Sequence, residues 1–172
     1  MNKIYNKAGV ITRSDDLMLV INPKTLNNID VNLLSGIFNT AKINHVAFRT
    51  VTFNRCTIKE VNFSMCDKLI FEIAFKDCVL DFSKFYTLKM KGTSFTNCSI
   101  IAVDFMSTDL TEVAFENCDL YRSEFAKAIA NKADFRTSYN YTIDPTKTKL
   151  KKAVFSLNEV KGLLFKHELI IK

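Results

Sequence analysis

The chain has 172 residues, a formal net charge of +6 and a hydrophobic fraction of 48%. This length is enough for one domain with a substantial core. The sequence contains no run of 18 apolar residues, so no transmembrane helix is predicted. The first residues, MNKIYNKAGVITRSDD, lack the apolar region of a secretory signal. The five cysteines show no paired spacing such as C-x-x-C. We therefore expect a cytoplasmic protein without membrane association.

Residues 1–30 show no internal period. Their apolar run from Leu17 to Ile21 is followed by the turn signal Asn22-Pro23. A repeat array begins at Val31, and the end of such an array exposes unpaired backbone groups that need a cover. We assign residues 1–30 to an N-terminal cap segment.

From Val31 to Phe155, a large apolar residue, here called a centre, recurs every five residues, and a small or β-branched residue stands two before it. Five is neither the helical period nor the strand period, so a stacked repeat is predicted. Four such sides make a turn of twenty residues. The centres then form four columns: Phe75, Phe95, Phe115, Phe135 and Phe155; Phe85, Phe105 and Phe125; Leu80, Ile100 and Leu120; Met90, Leu110, Ala130 and Leu150. Residues 31–155 are predicted to form an all-β solenoid, a right-handed quadrilateral parallel β-helix.

Two places interrupt the period. After Phe63 the next centre would be Lys68, but the pattern resumes at Phe75, so two extra residues within 68–72 predict a bulge or short loop at a corner. After Phe135 the period weakens until Leu150 and Phe155, with Asn140 and Pro145 at centre positions.

The C-terminal segment, residues 156–172, breaks the five-residue rule. Ser156-Leu157-Asn158-Glu159 is a capping box, which predicts a short helix over residues 157–166. Leu169-Ile170-Ile171 is predicted to be a final strand. We expect this unit to cap the second end of the solenoid.

Residues typical of enzyme sites are few. His45 and His167 lie in no metal-binding pattern, and the four glycines form no phosphate-binding loop. The cysteines all stand two residues before a centre, which favours buried packing over a redox or metal role: Cys56, Cys66, Cys78, Cys98 and Cys118. We predict a protein that is not an enzyme, with no catalytic residue, cofactor or metal.

Charge is unevenly distributed. Residues 145–172 carry seven lysines against two glutamates, whereas residues 31–144 are neutral. Since the excess of positive charge lies at one end of the chain, we interpret it as a solvated, charged end cap and not as a phosphate-binding patch. Direct binding of nucleic acid is therefore not expected. Six acidic residues could imitate DNA phosphates, but they fall on all four sides: Asp104, Asp109, Glu112, Glu116, Asp119 and Glu124. An Asp just before a centre can instead bond the corner backbone, and this position holds Asp104, Asp109, Asp119 and Asp134.

One side of the predicted solenoid directs apolar residues outward: Val79, Phe82, Ile101, Tyr121, Tyr139 and Tyr141. A contiguous exposed apolar patch is typical of a surface that binds a partner. Coverage by a loop or by the N-terminal cap is the alternative.

The segments AFENCDLYRSEFAKA and ANKADFRT resemble the pentapeptide-repeat family, whose pattern is A-(D/N)-L-X-X. The run KADFRTSYNYTIDPTKTKLKKAVFSLNEVKGLL resembles the C-terminal segment of its quinolone-resistance (Qnr-type) branch. That resemblance implies a homodimer joined through the C-terminal unit and binding to DNA gyrase or topoisomerase IV. The implied dimer contacts are Phe155, Leu163, Leu164, Phe165 and Ile170. The positive net charge departs from the extended negative face that a DNA mimic needs.

These observations predict a non-enzymatic macromolecular interaction protein whose candidate partner is a type II topoisomerase. Two alternatives stay open. One is a structural or scaffolding rod with an unidentified protein partner, and the other is nucleic-acid binding through the basic C-terminal end.

Overall fold

The computed structural model describes residues 4–6, 9–11, 31–34, 37–40, 43–44, 48–69 and 71–170. Within these residues, seven strands form one sheet in the order β2-β1-β3-β4-β5-β6-β7. They are β1 (Ile4–Asn6), β2 (Gly9–Ile11), β3 (Val31–Leu34), β4 (Phe48–Asn54), β5 (Phe71–Lys76), β6 (Ser94–Thr96) and β7 (Ala114–Glu116). Strands β3 to β7 pair in parallel, whereas β1 pairs antiparallel with both β2 and β3.

Paired positions in the regular part of the chain lie twenty residues apart. Phe75 pairs with Phe95, and Phe95 with Phe115. Short parallel bridges join the other three sides of each turn, and their rows are Val79, Ser99, Asp119 and Tyr139; Lys84, Asp104 and Glu124; Lys89, Asp109, Ile129 and Lys149. Four parallel ladders therefore run along the described repeats, one for each column of centres. The predicted parallel solenoid is confirmed.

Two columns of phenylalanine rings fill the core. Within a column the rings stack, as between Phe95 and Phe115, whose centroids lie 5.0 Å apart with an interplanar angle of 5°. Between columns they meet edge to face, as between Phe95 and Phe105 at 6.0 Å and 83°. Both arrangements are favourable for aromatic quadrupoles. Stacking within a column thus joins successive turns, and edge-to-face contact between the columns joins two sides of the rod.

The corners require an unusual backbone conformation two residues after a centre. Phe82 has φ 63° and Asn97 has φ 53°. At the first of these corners the Ser83 amide donates to the Leu80 carbonyl at 3.1 Å, which closes a turn with positive φ at its third residue. A residue other than glycine pays roughly 1–2 kcal/mol for this conformation. The buried columns offset that cost at each turn.

Where the residue two before a centre is Ser, Thr or Cys, its side chain can donate a hydrogen bond as well as pack in the core. Ser83 Oγ donates to the Ile58 carbonyl at 2.7 Å, and Ser138 Oγ donates to the Phe115 carbonyl at 2.7 Å. Cysteine fills the same position, and the Cys118 thiol donates to the Phe95 carbonyl at 3.5 Å. These bonds satisfy carbonyls that the buried turns would otherwise leave without a partner.

All five cysteines are buried and free of disulfides. Burial, together with the nearby charge of Asp67, raises the pKa of the Cys66 thiol well above its ordinary value. Hydrogen bonding with Cys118 and burial raise the pKa of Cys98 to about 12, against an opposing contribution from Cys78. Neutral, buried thiols are poor nucleophiles and poor metal ligands, which agrees with the packing role expected from their position.

The acidic residues of the repeats are used by the fold. The carboxylate just before a centre accepts from the amide two residues ahead, as between Asp104 and Met106 at 2.8 Å. The same bond recurs at Asp109, Asp119, Glu124 and Asp134. Glu112 instead pairs with Lys132 at 2.7 Å, and Glu116 accepts from the Thr96 hydroxyl at 3.2 Å. The predicted corner role of the aspartates is confirmed.

The irregularity predicted at residues 68–72 is present. Phe71 pairs with Phe48, and the register between β4 and β5 shifts before Val51. Lys68 points outward and donates to the Thr87 hydroxyl at 2.7 Å. Phe71 fills the core instead, with its ring centroid 5.7 Å from that of Phe48. This replacement was not predicted, because Phe71 lies eight residues after Phe63 and four before Phe75, off the five-residue spacing.

The C-terminal segment differs from the prediction. Two 3₁₀ turns, Val160–Leu163 and Phe165–His167, stand where an α-helix was expected over residues 157–166. Only half of the capping box forms, since the Glu159 amide donates to Ser156 Oγ at 3.3 Å while its carboxylate accepts from the Asn140 amide. Residues 169–170 are not a strand, and Ile171 lies outside the described residues.

Candidate interaction surfaces

The side of the rod built on Leu80, Ile100 and Leu120 exposes large apolar side chains. Phe82, Tyr121 and Tyr139 are 54%, 52% and 44% exposed. Val79 and Ile101 are partly exposed on the same side. We call these five residues the aromatic face. Arg122 adds a cation, with its guanidinium carbon 5.9 Å from the centroid of the Tyr121 ring.

The register places these side chains on neighbouring turns. The Phe82 amide donates to the Ile101 carbonyl at 2.9 Å, and the Ala102 amide donates to the Tyr121 carbonyl at 2.8 Å. Val79 and Tyr139 belong to one ladder, three turns apart. At about 4.8 Å per turn the face extends about 14 Å along the rod. The described residues leave it uncovered.

Phe82 carries two unfavourable features together. More than half of its ring is exposed, and its backbone is left-handed at φ 63°. A bulky residue is rare in that conformation. The equivalent corner residues on the following turns are Ala102 and Arg122. The fold alone therefore gives no reason for an aromatic side chain there.

Tyr141 does not belong to the exposed face, and its assignment was wrong. It is 2% exposed, and its ring centroid lies 6.0 Å from that of Phe135 and 5.6 Å from that of Phe155. Asn140 takes a left-handed corner conformation, with φ 60°, and turns outward. Tyr141 then enters the core in its place. Its hydroxyl has no hydrogen-bond partner among the described residues, and burial, with the nearby charge of Glu159, raises the pKa of Tyr141 to about 12.

The implied dimer contacts divide into two groups. Phe155 and Leu163 are partly buried against the core, and the Phe155 ring stacks on Phe135 at 5.0 Å. Leu164, Phe165 and Ile170 are exposed, the last two by 72% and 87%. The C-terminal segment therefore presents an apolar surface at the end of the rod.

Two contacts hold this segment in place. The Ile143 amide donates to the Gly162 carbonyl at 3.0 Å. Lys166 Nζ lies 2.8 Å from Asp144 Oδ1. Lys166, assisted by the Thr146 hydroxyl, holds the pKa of the Asp144 carboxyl below its usual range.

An open groove of about 1120 Å³ lies between the last turns and the C-terminal segment. Tyr121 and Arg122 line it from the aromatic face, and Glu159, Phe165 and Leu169 line it from the segment. The aromatic face and the apolar end of the rod are therefore continuous.

The described residues contain no group of three or more His, Cys, Asp or Glu side chains arranged to hold a metal ion. His167 is exposed in the second 3₁₀ turn, and His45 lies outside the described residues. None of the helices found in the described part of the chain is long and apolar enough to cross a bilayer.

Comparison with known proteins gives one family match. The model of the pentapeptide repeat region matches residues 68–142. No curated protein matches the chain.

Solved structures with a similar arrangement are distant in sequence. The pentapeptide repeat protein Rfr23 from the cyanobacterium Cyanothece 51142 has 12% identity and a TM-score of 0.45, over 66% of this chain and 65% of that one. A trypsin-treated variant of QnrB1, a plasmid-mediated fluoroquinolone resistance protein, has 14% identity and a TM-score of 0.44, and the match covers 80% of this chain and 90% of that one. A pentapeptide repeat protein of the Arabidopsis thaliana thylakoid lumen has 16% identity and a TM-score of 0.31, and the match covers 70% of this chain and 65% of that one. This chain thus spans slightly less than two thirds of the cyanobacterial protein.

Proteins of this family form right-handed β-helices and are generally structural or interaction proteins. The matched range begins at the irregularity after Phe63 and runs through the turns in which the five-residue period and the parallel ladders are regular. Residues 68–142 are therefore similar to the pentapeptide repeat region.

Proposed function

We propose that this chain is a cytoplasmic, non-enzymatic interaction protein that binds a partner protein along its aromatic face. The proposed architecture is a quadrilateral rod over residues 31–155, capped by residues 1–30 and by residues 156–172. The four parallel ladders support the cross-section. Five buried cysteines that form no disulfide are what a reducing compartment favours.

The observation that carries the proposal is the exposed Phe82 in a left-handed corner. At this position the aromatic ring exposes apolar surface to solvent while its backbone adopts a strained conformation. Its neighbours on the next three turns, Ile101, Tyr121 and Tyr139, extend it into a continuous surface with Arg122 at one edge. Aromatic residues and arginine are enriched at protein interfaces.

The proposed partner is a type II topoisomerase, DNA gyrase or topoisomerase IV. The support is the likeness of residues 132–164 to the C-terminal segment of the quinolone-resistance branch. The test is DNA supercoiling by purified gyrase with this protein titrated in, with and without ciprofloxacin. We expect either rescue from the drug or inhibition at micromolar protein. A supercoiling rate that the protein changes in neither arm would contradict topoisomerase binding.

We also propose that two copies of the chain join through their C-terminal ends. Leu164, Phe165 and Ile170 supply exposed apolar contacts, and Phe155 and Leu163 lie at the end of the core. Light scattering during size-exclusion chromatography is expected to give twice the chain mass, and Phe165→Asp is expected to give the single mass. The matched control is Leu69→Asp, because Leu69 is 92% exposed at the irregularity, away from this end. A single mass for the unaltered chain at micromolar concentration would contradict the dimer.

A further inference from the structure

The ladder that joins Lys89, Asp109, Ile129 and Lys149 lies two sides away from that of the aromatic face. Near its C-terminal end it carries a group of exposed lysines that we call the lysine shelf: Lys127, Lys147, Lys149, Lys151 and Lys152. From this arrangement we infer a second binding surface, which takes the phosphate backbone of a nucleic acid. The inference does not depend on the proposed protein partner.

The shelf is formed by two successive turns. The Lys127 amide donates to the Lys147 carbonyl at 2.7 Å, and the Lys151 amide donates to Asn131 Oδ1 at 2.9 Å. Lys149 forms a parallel bridge with Ile129. Residues from two turns thus share one shallow concavity, which Thr146 and Asn131 also line. The sequence alone shows lysines at residues 147–152 near the C-terminal end. It does not show that Lys127 lies beside them.

The charge of the shelf is not neutralised internally. Across the described residues, none of the five lysines forms an ion pair. The other lysines near this end of the chain differ, because Lys132 pairs with Glu112, Lys161 with Glu159 and Lys166 with Asp144. Five free ammonium groups on two turns form a concentrated positive field, which attracts a polyanion.

The chemistry of the shelf favours phosphate over an acidic protein surface. Protein interfaces have an apolar or aromatic centre, and the shelf has none, since Ile129 and Leu150 are only partly exposed and none of its described residues is an exposed large apolar side chain. Lysine and asparagine are among the side chains that contact phosphate oxygens. The shelf also lacks aromatic rings on which bases could stack, so we infer contact with the backbone and no preference for base sequence.

The test is the fluorescence anisotropy of a labelled DNA duplex of mixed sequence, titrated with the full chain at several salt concentrations. Three to five phosphate contacts predict that affinity falls about 40- to 500-fold between about 50 mM and about 200 mM salt. The double variant Lys149→Ala/Lys151→Ala removes two contacts and is expected to lower the magnitude of the log–log salt slope by about 1.8.

The matched control is Lys76→Ala/Lys84→Ala, which removes the same charge from exposed positions on two other sides. We expect its salt slope to equal that of the unaltered chain. Three outcomes would overturn the inference. They are the absence of duplex binding at low salt, an equal loss of affinity in both double variants, and binding of polyglutamate through the shelf without binding of duplex.

Discussion

Replacing Phe105 with alanine is expected to lower the free energy of unfolding by about 3–5 kcal/mol. The Phe105 side chain is fully buried and stacks on Phe85 and Phe125, with both pairs of centroids 5.3 Å apart. It also meets Phe95 and Phe115 edge to face at 6.0 and 5.9 Å. Only two rings, one from each side, lie between the facing ladders, so the rings above and below cannot close the cavity without breaking the register. Urea denaturation followed by circular dichroism measures the loss.

Phe82→Ala is the matched control for this substitution. It removes the same ring from an exposed corner, and alanine already occupies the equivalent corner at Ala102 with φ 52°. We expect its free energy of unfolding to change by less than about 1 kcal/mol. Equal losses in the two variants, or a loss below about 1 kcal/mol for Phe105→Ala, would contradict an inward column of rings.

Gly162→Ala is expected to release the C-terminal segment from the last turn. A Cβ at this position would overlap the Tyr141 carbonyl oxygen and would lie only 2.7 Å from a carbon of the Tyr141 ring. Tyr141 is held between Phe135 and Phe155 and cannot move aside. The segment must shift instead, and the bond from the Ile143 amide to the Gly162 carbonyl is lost. We expect a cost of about 3 kcal/mol, the upper part of the usual range for overpacking.

Thermal denaturation and limited proteolysis measure this effect, and cleavage is expected to begin within residues 156–170. Gly92→Ala is the control, because Gly92 has φ 72° but the described residues place no atom within 4 Å of its added Cβ. That variant bears only the backbone cost of roughly 1–2 kcal/mol. If Gly162→Ala melts at the same temperature as Gly92→Ala and resists proteolysis equally, Tyr141 and Gly162 are not in the contact described.

The regular part of the fold could be predicted because one rule repeats in every turn. A residue such as Phe95 is specified by its own identity and by Phe75 and Phe115 twenty residues to either side. The aspartate before each centre was predictable for the same reason, since its bond to the backbone two residues ahead is local. Periodic, local rules are readable from one sequence without a structure.

Sequence reasoning failed where the period slips. Phe71 and Tyr141 enter the core one or more residues away from the expected centres, and only the three-dimensional register shows which ring fills the space. The expected helix after Ser156 became two 3₁₀ turns, because Glu159 accepts from Asn140 instead of closing the capping box. Each miss results from a contact with another turn that no local pattern records.

The candidate surfaces were predictable in part. Alternation along the repeats correctly placed Phe82, Tyr121 and Tyr139 outside. The lysine shelf was missed because Lys127 lies far in sequence from residues 147–152 and reaches them only through stacking of successive turns. Composition showed a basic end, whereas the structure shows which of these lysines have no acidic partner among the described residues.

Binding of the partner by the aromatic face is measured as the affinity of the chain for immobilised DNA gyrase. The variant Phe82→Ala/Tyr121→Ala is compared with Leu69→Ala, which truncates an exposed apolar side chain elsewhere. We expect the double variant to bind at least about tenfold more weakly, as for interface hot spots, and Leu69→Ala to bind like the unaltered chain. Equal affinity of all three proteins would show that the aromatic face does not bind gyrase.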